Sequence, residues 1–238
     1  MSLLTLCQAA AREAGILVPS VIIGATDTTS KRLLAVSQRS GKWLMKRHKW
    51  TFLTLEHTFS TADGTAAYDE LQSDHDRFID NTLWNRSTYK TVRGPLNARS
   101  WQIAASGLQA DPSIWSRIRL KPVSGANQLY ISPTPSAVET VVFEYVSDKW
   151  AKSSGGTLQT EFAADADTAL FDEYLMELDV TWRIKRTMGL SYGDEKFEFV
   201  DRLNQAIAAD LATPTLSLNA GDHHFFELPA ITQEIGFG

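Results

Sequence analysis

Apolar residues recur at helical spacing near both ends of the chain. The first run predicts a helix that ends at Gly15, because glycine readily adopts the left-handed conformation of a helix end. Its apolar face comprises Leu3, Leu4, Cys7, Ala10, Ala11 and Ala14. N-cap residues at positions 27–30 precede a second predicted helix over residues 31–48. One side of that helix carries Leu33, Val36, Ser40 and Leu44.

Helical periodicity returns in the last third of the chain. One stripe predicts a core-facing helix that stops at Gly189, and its members are Phe171, Tyr174, Leu175, Leu178 and Trp182. A second stripe predicts another core-facing helix that ends at Thr213-Pro214. Its members are Phe197, Val200, Leu203, Ile207 and Leu211.

The central hundred residues favour β-strands. After Trp50, the residues Leu53, Leu55 and Phe59 alternate with polar ones, as in a half-buried strand, and Asp63-Gly64 is a turn signal. Short strand-like segments follow at residues 101–105, 114–120 and 128–132.

The strongest strand is predicted over residues 140–147. Val141, Phe143 and Tyr145 share one face, and Val142 and Val146 share the other. Apolar residues on both faces predict a strand that is covered on both sides.

This order of elements predicts an α+β fold. Both chain ends form a helical bundle domain, with an inserted antiparallel β domain and an extended C-terminal arm. Residues 152–157, Lys-Ser-Ser-Gly-Gly-Thr, are expected to be a flexible linker. The predicted parts are the helical domain over 1–49 and 150–212, the β domain over 50–149 and the arm over 213–238.

Composition and charge narrow the function. The 238 residues are 43% hydrophobic and 21% charged, as in an ordinary globular protein, and the net charge of −5 argues against a generally basic nucleic-acid binder. The single cysteine, Cys7, excludes an internal disulfide framework and fits a reducing cytoplasm. No run approaches the roughly 18 apolar residues of a spanning helix, so no membrane partner is expected.

Motifs of common catalytic sites are missing from the sequence. There is no phosphate-binding loop, no Gly-x-Ser-x-Gly elbow and no His-Glu-x-x-His zinc helix, and one cysteine cannot supply two zinc ligands. Asp74-His75-Asp76 contains three possible metal ligands, but neighbours on an extended chain point to opposite sides, which favours a solvated loop. The pair His223-His224 is interpreted as exposed or interfacial.

Two further candidates have simpler interpretations. Asp172, Glu173 and Glu177 share a helix and could provide an acid–base pair, but they lie opposite its apolar stripe, which favours a solvated face. Cys7 lies on an apolar helix face, as small core residues do. We therefore predict no catalytic residue, no cofactor and no metal site, and expect that the chain is not an enzyme.

Residues 31–49 concentrate positive charge within an acidic protein, with seven Lys or Arg and no Asp or Glu. Two interpretations are open: a surface that contacts phosphate or an acidic neighbouring subunit, and a solvated helix face. Trp43 and Trp50 could stack on bases, although tryptophans beside a helix end more often pack against their own domain. The residues predicted for a subunit interface or channel are Lys31, Arg32, Arg39, Lys42, Lys46 and Arg47.

The last 26 residues combine apolar side chains with negative charge. They contain Asp222, Glu227 and Glu234 and no Lys or Arg. Disordered tails are usually poor in large apolar residues, so this segment is expected to dock, either on its own core or on a partner. The predicted docking residues are Leu216, Leu218, Phe225, Phe226, Leu228, Ile231, Ile235 and Phe237.

Several local patterns occur in order along residues 1–212. The opening helix carries Leu6-Cys7 and ends at residues 14–16, and the basic second helix closes on His-Lys-Trp-Thr-Phe at 48–52. Residues 68–79 are similar to a Tyr-x-Leu-Pro-x-Asp-x-x-Arg-Phe pattern, with Gln72 in place of the proline. Residues 130–145 are similar to a closing β-hairpin. Together these patterns resemble the podovirus head-to-tail adaptor (connector) family, whose architecture is that of tail tubular protein A.

The resemblance implies a ring of twelve copies under the portal, with the helical domain above, the β domain toward the tail and a C-terminal arm that reaches the portal. The implied partners are the portal protein, a tail nozzle or tail tube protein, other copies of the chain, and packaged double-stranded DNA that passes without sequence readout. The implied location is the head–tail joint of the virion, after assembly in the host cytoplasm.

Three other functions remain as alternatives. Another virion tail or fibre-attachment protein would use the β region as its main interface. A hydrolase would need a concave site with perturbed carboxylates. A DNA-binding module would use the basic helix and bind DNA in a salt-sensitive way.

Overall fold

The computed structural model describes residues 1–105, 116–123 and 126–210. Within these ranges the α-helices are α1 (Leu3–Glu13), α2 (Thr28–Arg47), α3 (Ala98–Ala105), α4 (Glu173–Met188) and α5 (Gly193–Asp210). The strands are β1 (Thr54–Ser60), β2 (Ala67–Tyr68), β3 (His75–Phe78), β4 (Trp84–Asn85), β5 (Lys90–Arg93), β6 (Ser116–Val123), β7 (Ala126–Ser132), β8 (Thr140–Ser147), β9 (Ala151–Lys152), β10 (Leu158–Gln159) and β11 (Thr168–Ala169). A 3-10 turn at Thr51–Leu53 precedes β1.

An eight-stranded sheet is the largest feature of the fold. Its order is β1-β8-β4-β5-β6-β7-β2, with β3 also paired to β8. β5 and β6 run parallel, whereas the other described pairs are antiparallel, so the sheet is mixed, and it forms a half-barrel. The predicted fold, a helical bundle with an inserted antiparallel β domain, is therefore wrong. Apart from the short α3, the helices lie at the two ends of the chain.

Strand β8 explains why the sheet does not form a separate layer. It pairs antiparallel with β1, β3 and β4. Val141, Phe143 and Tyr145 belong to the hydrophobic core of the sheet, while Val146 packs in the core of the helices. The prediction of a strand at 140–147 with both faces covered is confirmed. One strand thus contributes to both cores.

The parallel pair β5/β6 requires a long connection, and α3 forms part of it. Parallel neighbours cannot be joined by a tight turn. The strand predicted at 101–105 is consequently wrong, because these residues belong to α3 and Trp101 is buried. The strands predicted at 114–120 and 128–132 are confirmed as β6 and β7, apart from positions 114–115, which lie outside the described residues.

Helices α1 and α2 confirm the predictions for the amino-terminal part. The Ser2 hydroxyl accepts the Thr5 N–H (3.3 Å) at the start of α1, and the Asp27 carboxylate accepts the Ser30 N–H (2.7 Å) at the start of α2. The predicted apolar sides of both helices are buried, except that Leu4 is half-buried. Gly15 follows α1 with φ at 65°.

Helix α4 also follows its predicted stripe, with one exception. Phe171, Leu175, Leu178 and Trp182 are buried. Tyr174 is instead 46% exposed. Gly189 ends the helix in the left-handed conformation, as predicted.

The predicted core face of α5 is right for Leu203, which is buried, and for Ile207, which packs against the core, but it is wrong for its first two members. Phe197 is 78% exposed and Val200 is 43% exposed, whereas Phe199, which the stripe omitted, is buried. The apolar run around residue 199 allows two faces, and packing selects one of them. The Phe199 ring lies 5.8 Å from that of Trp43. Leu211, the last residue of the predicted stripe, lies outside the described residues.

Residues 152–157 form a turn between short strands, so the prediction of a flexible linker is wrong. The Ser153 N–H donates to the Thr157 carbonyl (2.8 Å), and the Ser153 hydroxyl accepts the Thr157 N–H (3.0 Å). The flanking strands belong to a three-stranded sheet of order β10-β9-β11.

The core of the helices is built around Trp150. This side chain is fully buried and lies against Phe162 (ring centroids 4.8 Å apart, edge-on) and Phe171 (6.4 Å). The six-membered part of its indole fills the space beside Gly41 in α2, where a Cβ atom would overlap the ring. Only glycine therefore fits at this point of α2.

We predict that Gly41→Ala lowers the free energy of unfolding by about 1–3 kcal/mol, because Trp150 is enclosed and cannot yield to the added methyl group. Urea denaturation followed by circular dichroism measures the change. Gly193→Ala is the matched control, since a Cβ there meets open space, and its effect should stay within about 1 kcal/mol. Equal effects of the two substitutions would contradict the packing explanation.

Candidate assembly surfaces

Helix α2 carries the six predicted basic side chains on its exposed side. Its other side is buried, with Leu33, Ser37, Ser40 and Leu44 facing the core. The basic residues therefore share the outer surface of one helix, as either interpretation of the run requires.

Carboxylates from other parts of the chain neutralise some of this surface. Lys42 pairs with Glu161 (3.3 Å), and Lys46 pairs with the largely buried carboxylate of Asp76. Among the described residues, Lys31, Arg32, Arg39 and Arg47 have no ion-pair partner. These four exposed cations are therefore the basic side chains of α2 that remain available to contact a partner.

The two tryptophans of the basic run are packed rather than free to stack on bases. Trp50 is buried, and its indole N–H donates to the Leu44 carbonyl (2.8 Å). Trp43 is 38% exposed and lies between Phe199 and the Arg183 guanidinium, which sits 5.3 Å from the ring centroid. This packing is the simpler of the two roles considered for these tryptophans.

A groove continues from Trp43 along the outer side of α5. We call it the α5 groove, and it is lined by Trp43, Arg47, Arg183, Leu190, Lys196, Phe197 and Val200. It consists of two adjoining depressions of about 290 Å³ and about 600 Å³, which share Lys196 and Val200. Exposed aromatic and aliphatic side chains grouped in this way mark an interaction surface.

A buried carboxylate positions the cation at the inner wall of the α5 groove. Asp179 has no exposed surface and accepts hydrogen bonds from the Trp182 indole N–H (2.7 Å), the Arg183 Nε–H (2.9 Å) and the Ser40 hydroxyl. The network fixes Arg183 over Trp43. Sequence reasoning missed Asp179, although an acid within the apolar stripe of α4 was a signal for it.

Residues 74–77 join the sheet to α2 and are not a solvated loop. The Asp74 carboxylate is buried and accepts hydrogen bonds from the Tyr145 hydroxyl (3.1 Å) and the Ser147 hydroxyl (2.8 Å). Asp76 turns the other way to Lys46. The predicted solvated loop is therefore wrong, and its carboxylates support the junction.

Arg77 completes this junction at the end of α2. Its guanidinium donates to the carbonyls of Met45 (3.3 Å), Lys46 (3.3 Å) and His48 (2.7 Å). A cation that satisfies the last carbonyls of a helix stabilises its end. The segment that contains Asp74 and Arg77 thus connects helices and sheet.

Burial shifts the ionisation of groups at the junction. It lowers the pKa of His75, whose Nε2 is buried without a hydrogen-bond partner in the described part of the chain. It raises the pKa of Tyr145 to about 12, and the charge of Asp74 adds to this effect. It also raises the pKa of Asp148, with Asp74 and Asp76 contributing.

The other candidate groups do not converge on a reaction centre. Cys7 is buried, which raises its pKa to about 11, and its thiol lies 3.5 Å from the Ser37 hydroxyl, so it is a core residue. Asp172 caps α4 by accepting the Leu175 N–H (2.9 Å), and Glu173 pairs with the amino terminus. Burial and the nearby charge of Glu13 raise the pKa of Glu177.

Helix α5 ends at a fixed point beside the 3-10 turn. The Asp210 carboxylate accepts the Thr51 N–H (3.0 Å) and the Thr51 hydroxyl (2.6 Å), and it lies 3.1 Å from His48 Nε2. The carboxy-terminal segment therefore starts at the junction of helices and sheet. The predicted docking residues, and His223-His224, lie outside the described residues.

No family model matches the chain, and no curated protein matches it. In the described ranges, no helix combines the length and apolar character needed to cross a membrane. No group of three or more His, Cys, Asp or Glu side chains in these ranges is arranged to hold a metal ion.

We predict that His75→Phe removes part of the pH dependence of stability. A lowered folded-state pKa means that the wild type loses stability as pH falls below the ordinary histidine value of 6.5, when the unfolded chain takes up the proton first. The negative charges of Asp74 and Asp76 oppose this effect but are smaller. Phenylalanine keeps the contacts with Phe78 and Tyr145, whose rings lie 4.6 and 5.6 Å away.

Urea titrations of both proteins between pH 7.5 and pH 5, values chosen to bracket the histidine pKa, measure the difference. The free energy of unfolding of the variant should rise relative to that of the wild type as pH falls, by less than about 1 kcal/mol because water screens the partly exposed ring. If the difference in the free energy of unfolding between variant and wild type stays constant over this range, burial does not lower the pKa of His75.

Proposed function

We propose that this chain is a structural head-to-tail adaptor of a short-tailed bacteriophage. It forms a ring under the portal, extends the DNA channel and connects the capsid to the tail. The observation that carries the proposal is the α5 groove, whose lining includes the exposed Arg47 of α2, a surface suited to assembly.

The role that we propose is architectural and needs no catalytic group. The Asp74 and Arg77 contacts connect the helices to the sheet, as a part that bears load between capsid and tail requires. The sheet supplies the surface for a tail nozzle or tail tube protein. The helices supply the contacts between copies and toward the portal.

The charge of the proposed ring suits DNA that must slide. Tight DNA binding grows with the number of unpaired cations that meet phosphates. Lys42 and Lys46 are neutralised within the chain, and the whole protein carries a net charge of −5. Arg39 and Arg47 serve contacts between subunits in this proposal.

The carboxy-terminal segment acts as the docking arm for the portal. It carries three acids, no Lys or Arg, and many large apolar residues. Asp210 anchors its starting point at the junction. Apolar and aromatic side chains of this kind supply most of the binding energy in interfaces.

A second candidate function is another tail or fibre-attachment protein that binds through its sheet. The observation in its favour is an exposed aromatic pair, because Tyr89 is 87% exposed and Trp84 is 41% exposed. Both line a depression of about 550 Å³ together with Asn81 and Arg86. This function requires the sheet, and leaves the carboxy-terminal segment dispensable.

We predict that the full-length chain co-sediments with the portal ring of the same phage and that a chain ending at Ala212 does not. The deletion removes the docking arm but leaves α5 and its Asp210 anchor intact. Circular dichroism of the shortened chain is the control for folding.

Each other outcome identifies a different error. Binding by both proteins would support the adaptor function but show that the carboxy-terminal segment is not needed for docking. Unfolding of the shortened chain would show that the deleted segment packs in the core of the same chain. Failure of both to bind an assembled portal would favour the fibre-attachment function, and Tyr89→Ala with Trp84→Ala would then weaken binding to the tail.

We also predict that Phe225→Ala with Phe226→Ala weakens portal binding by more than about 1 kcal/mol, as expected for buried aromatic anchors. Surface plasmon resonance on immobilised portal rings measures the change. Thr232→Ala with Gln233→Ala is the matched control within the same segment, and its affinity should equal that of the wild type. Unchanged binding by the Phe225→Ala, Phe226→Ala variant would show that these two residues are not part of the interface.

A further inference from the structure

The α5 groove has an apolar floor and a positively charged rim. Phe197, Val200 and Leu190 are 78%, 43% and 42% exposed. Arg47 and Lys196 line the rim, and no Asp or Glu is among the described lining residues. A matching occupant must therefore present an apolar side chain surrounded by negative charge.

The opposite flank of α5 has these properties. Tyr174 is 46% exposed, and its hydroxyl donates to the Glu198 carboxylate. The pKa of Tyr174 is raised first by this hydrogen bond and then by burial and the charges of Glu198, Glu13 and Glu177. Glu198 thus contacts the hydroxyl of this exposed aromatic side chain, and the charges of Glu13 and Glu177 act on the same group. We call Tyr174, Glu13, Glu177 and Glu198 the acidic flank.

Cations neutralise the acidic flank only in part. Lys185 lies 4.0 Å from Glu13 and also pairs with Glu195. Within the described residues, Glu177 and Glu198 have no ion-pair partner. The Arg202 guanidinium lies 6.0 Å from the Tyr174 ring centroid, but it pairs with Asp172 (3.2 Å), so the carboxylates of the acidic flank still outnumber the cations left to balance them.

The two surfaces point in different directions on the same protein. Residues 198 and 200 are two positions apart on α5, which corresponds to about 200° around the helix axis. Glu198 faces Tyr174 of α4, whereas Val200 faces the α5 groove beside Trp43. A subunit with two complementary, non-overlapping surfaces associates head to tail, and head-to-tail association closes into a ring when the rotation allows.

We propose that the α5 groove binds a second copy of this chain through the acidic flank of that copy. Tyr174 of the second copy enters the apolar floor, and its neighbours Glu177 and Glu198 meet Arg47 and Lys196 on the rim. Two copies of the groove repel each other, so the charges disfavour a two-fold pair and favour a directed chain of subunits. The inference rests on the proposed ring, for which it supplies the contact between neighbours.

Charge reversal in the full-length chain tests this pairing. One variant carries Arg47→Glu with Lys196→Glu, and the other carries Glu177→Lys with Glu198→Lys. Sedimentation velocity at up to about 1 mM protein and low ionic strength, where charge contacts are least screened, measures self-association. Each variant alone should associate about tenfold or more weakly than the wild type, since reversal places like charges across the interface.

An equal mixture of the two variants should restore association. The negative groove of the first variant then meets the positive flank of the second, and the positive groove of the second meets the negative flank of the first. Arg99→Glu with Lys152→Glu is the control of equal charge change, and both positions are exposed. It should associate like the wild type. Tyr174→Ala should weaken association without changing the net charge.

Three results would overturn the inference: no self-association of the wild type, wild-type association by either reversal variant, or no recovery in the mixture. If the groove instead binds the carboxy-terminal segment, a reversal variant would associate like the wild type. The portal co-sedimentation is independent of this experiment. If the chain binds the portal but the reversal variants associate like the wild type, the adaptor function stands and the groove contact is wrong. If the chain does not bind the portal but the reversal variants behave as expected, the groove contact stands and the adaptor function is wrong.

Discussion

Strand β8 is stable only while both of its faces are covered, and the rest of the fold is arranged around this requirement. Val141, Phe143 and Tyr145 need the sheet core on one side, and Val146 needs the helical core on the other. The chain then leaves β8 directly into Trp150, the centre of the helical core. Helices and sheet are therefore not separable layers, since uncovering either face of β8 would expose apolar surface to water.

The polar junction is a consequence of the same arrangement. Where a sheet meets a helical core, strand ends and a helix end leave polar groups that water cannot reach, and each of these requires a partner. Asp74 satisfies the hydroxyls of Tyr145 and Ser147 at the end of β8, while Arg77 satisfies carbonyls at the end of α2. In the proposed ring, these contacts would transmit force between the portal side and the tail side of each subunit.

The accuracy of the sequence predictions followed the strength of local signals. The caps at Ser2 and Asp27, the stop at Gly189 and the two-sided strand β8 depend on neighbouring residues, and local patterns found all except the Ser2 cap. The mixed sheet depends on a parallel pairing across residues 94–115, for which no local signal exists. The turn at 152–157 has the composition of a linker but is ordered because the short strands on either side of it, β9 and β10, pair with each other and β9 pairs with β11.

The error on α5 has a physical explanation that bears on function. Periodicity marks which residues are apolar, but it does not reveal whether an apolar residue faces its own core or another molecule. Phe199 and Leu203 satisfy the core, and this leaves Phe197 and Val200 on the outside of a helix that already has a complete buried face. Leaving a phenylalanine 78% exposed gives up the stabilisation that its burial would provide. If a second copy covers Phe197, that stabilisation is recovered on assembly, and the same helix that closes the fold then joins one subunit to the next.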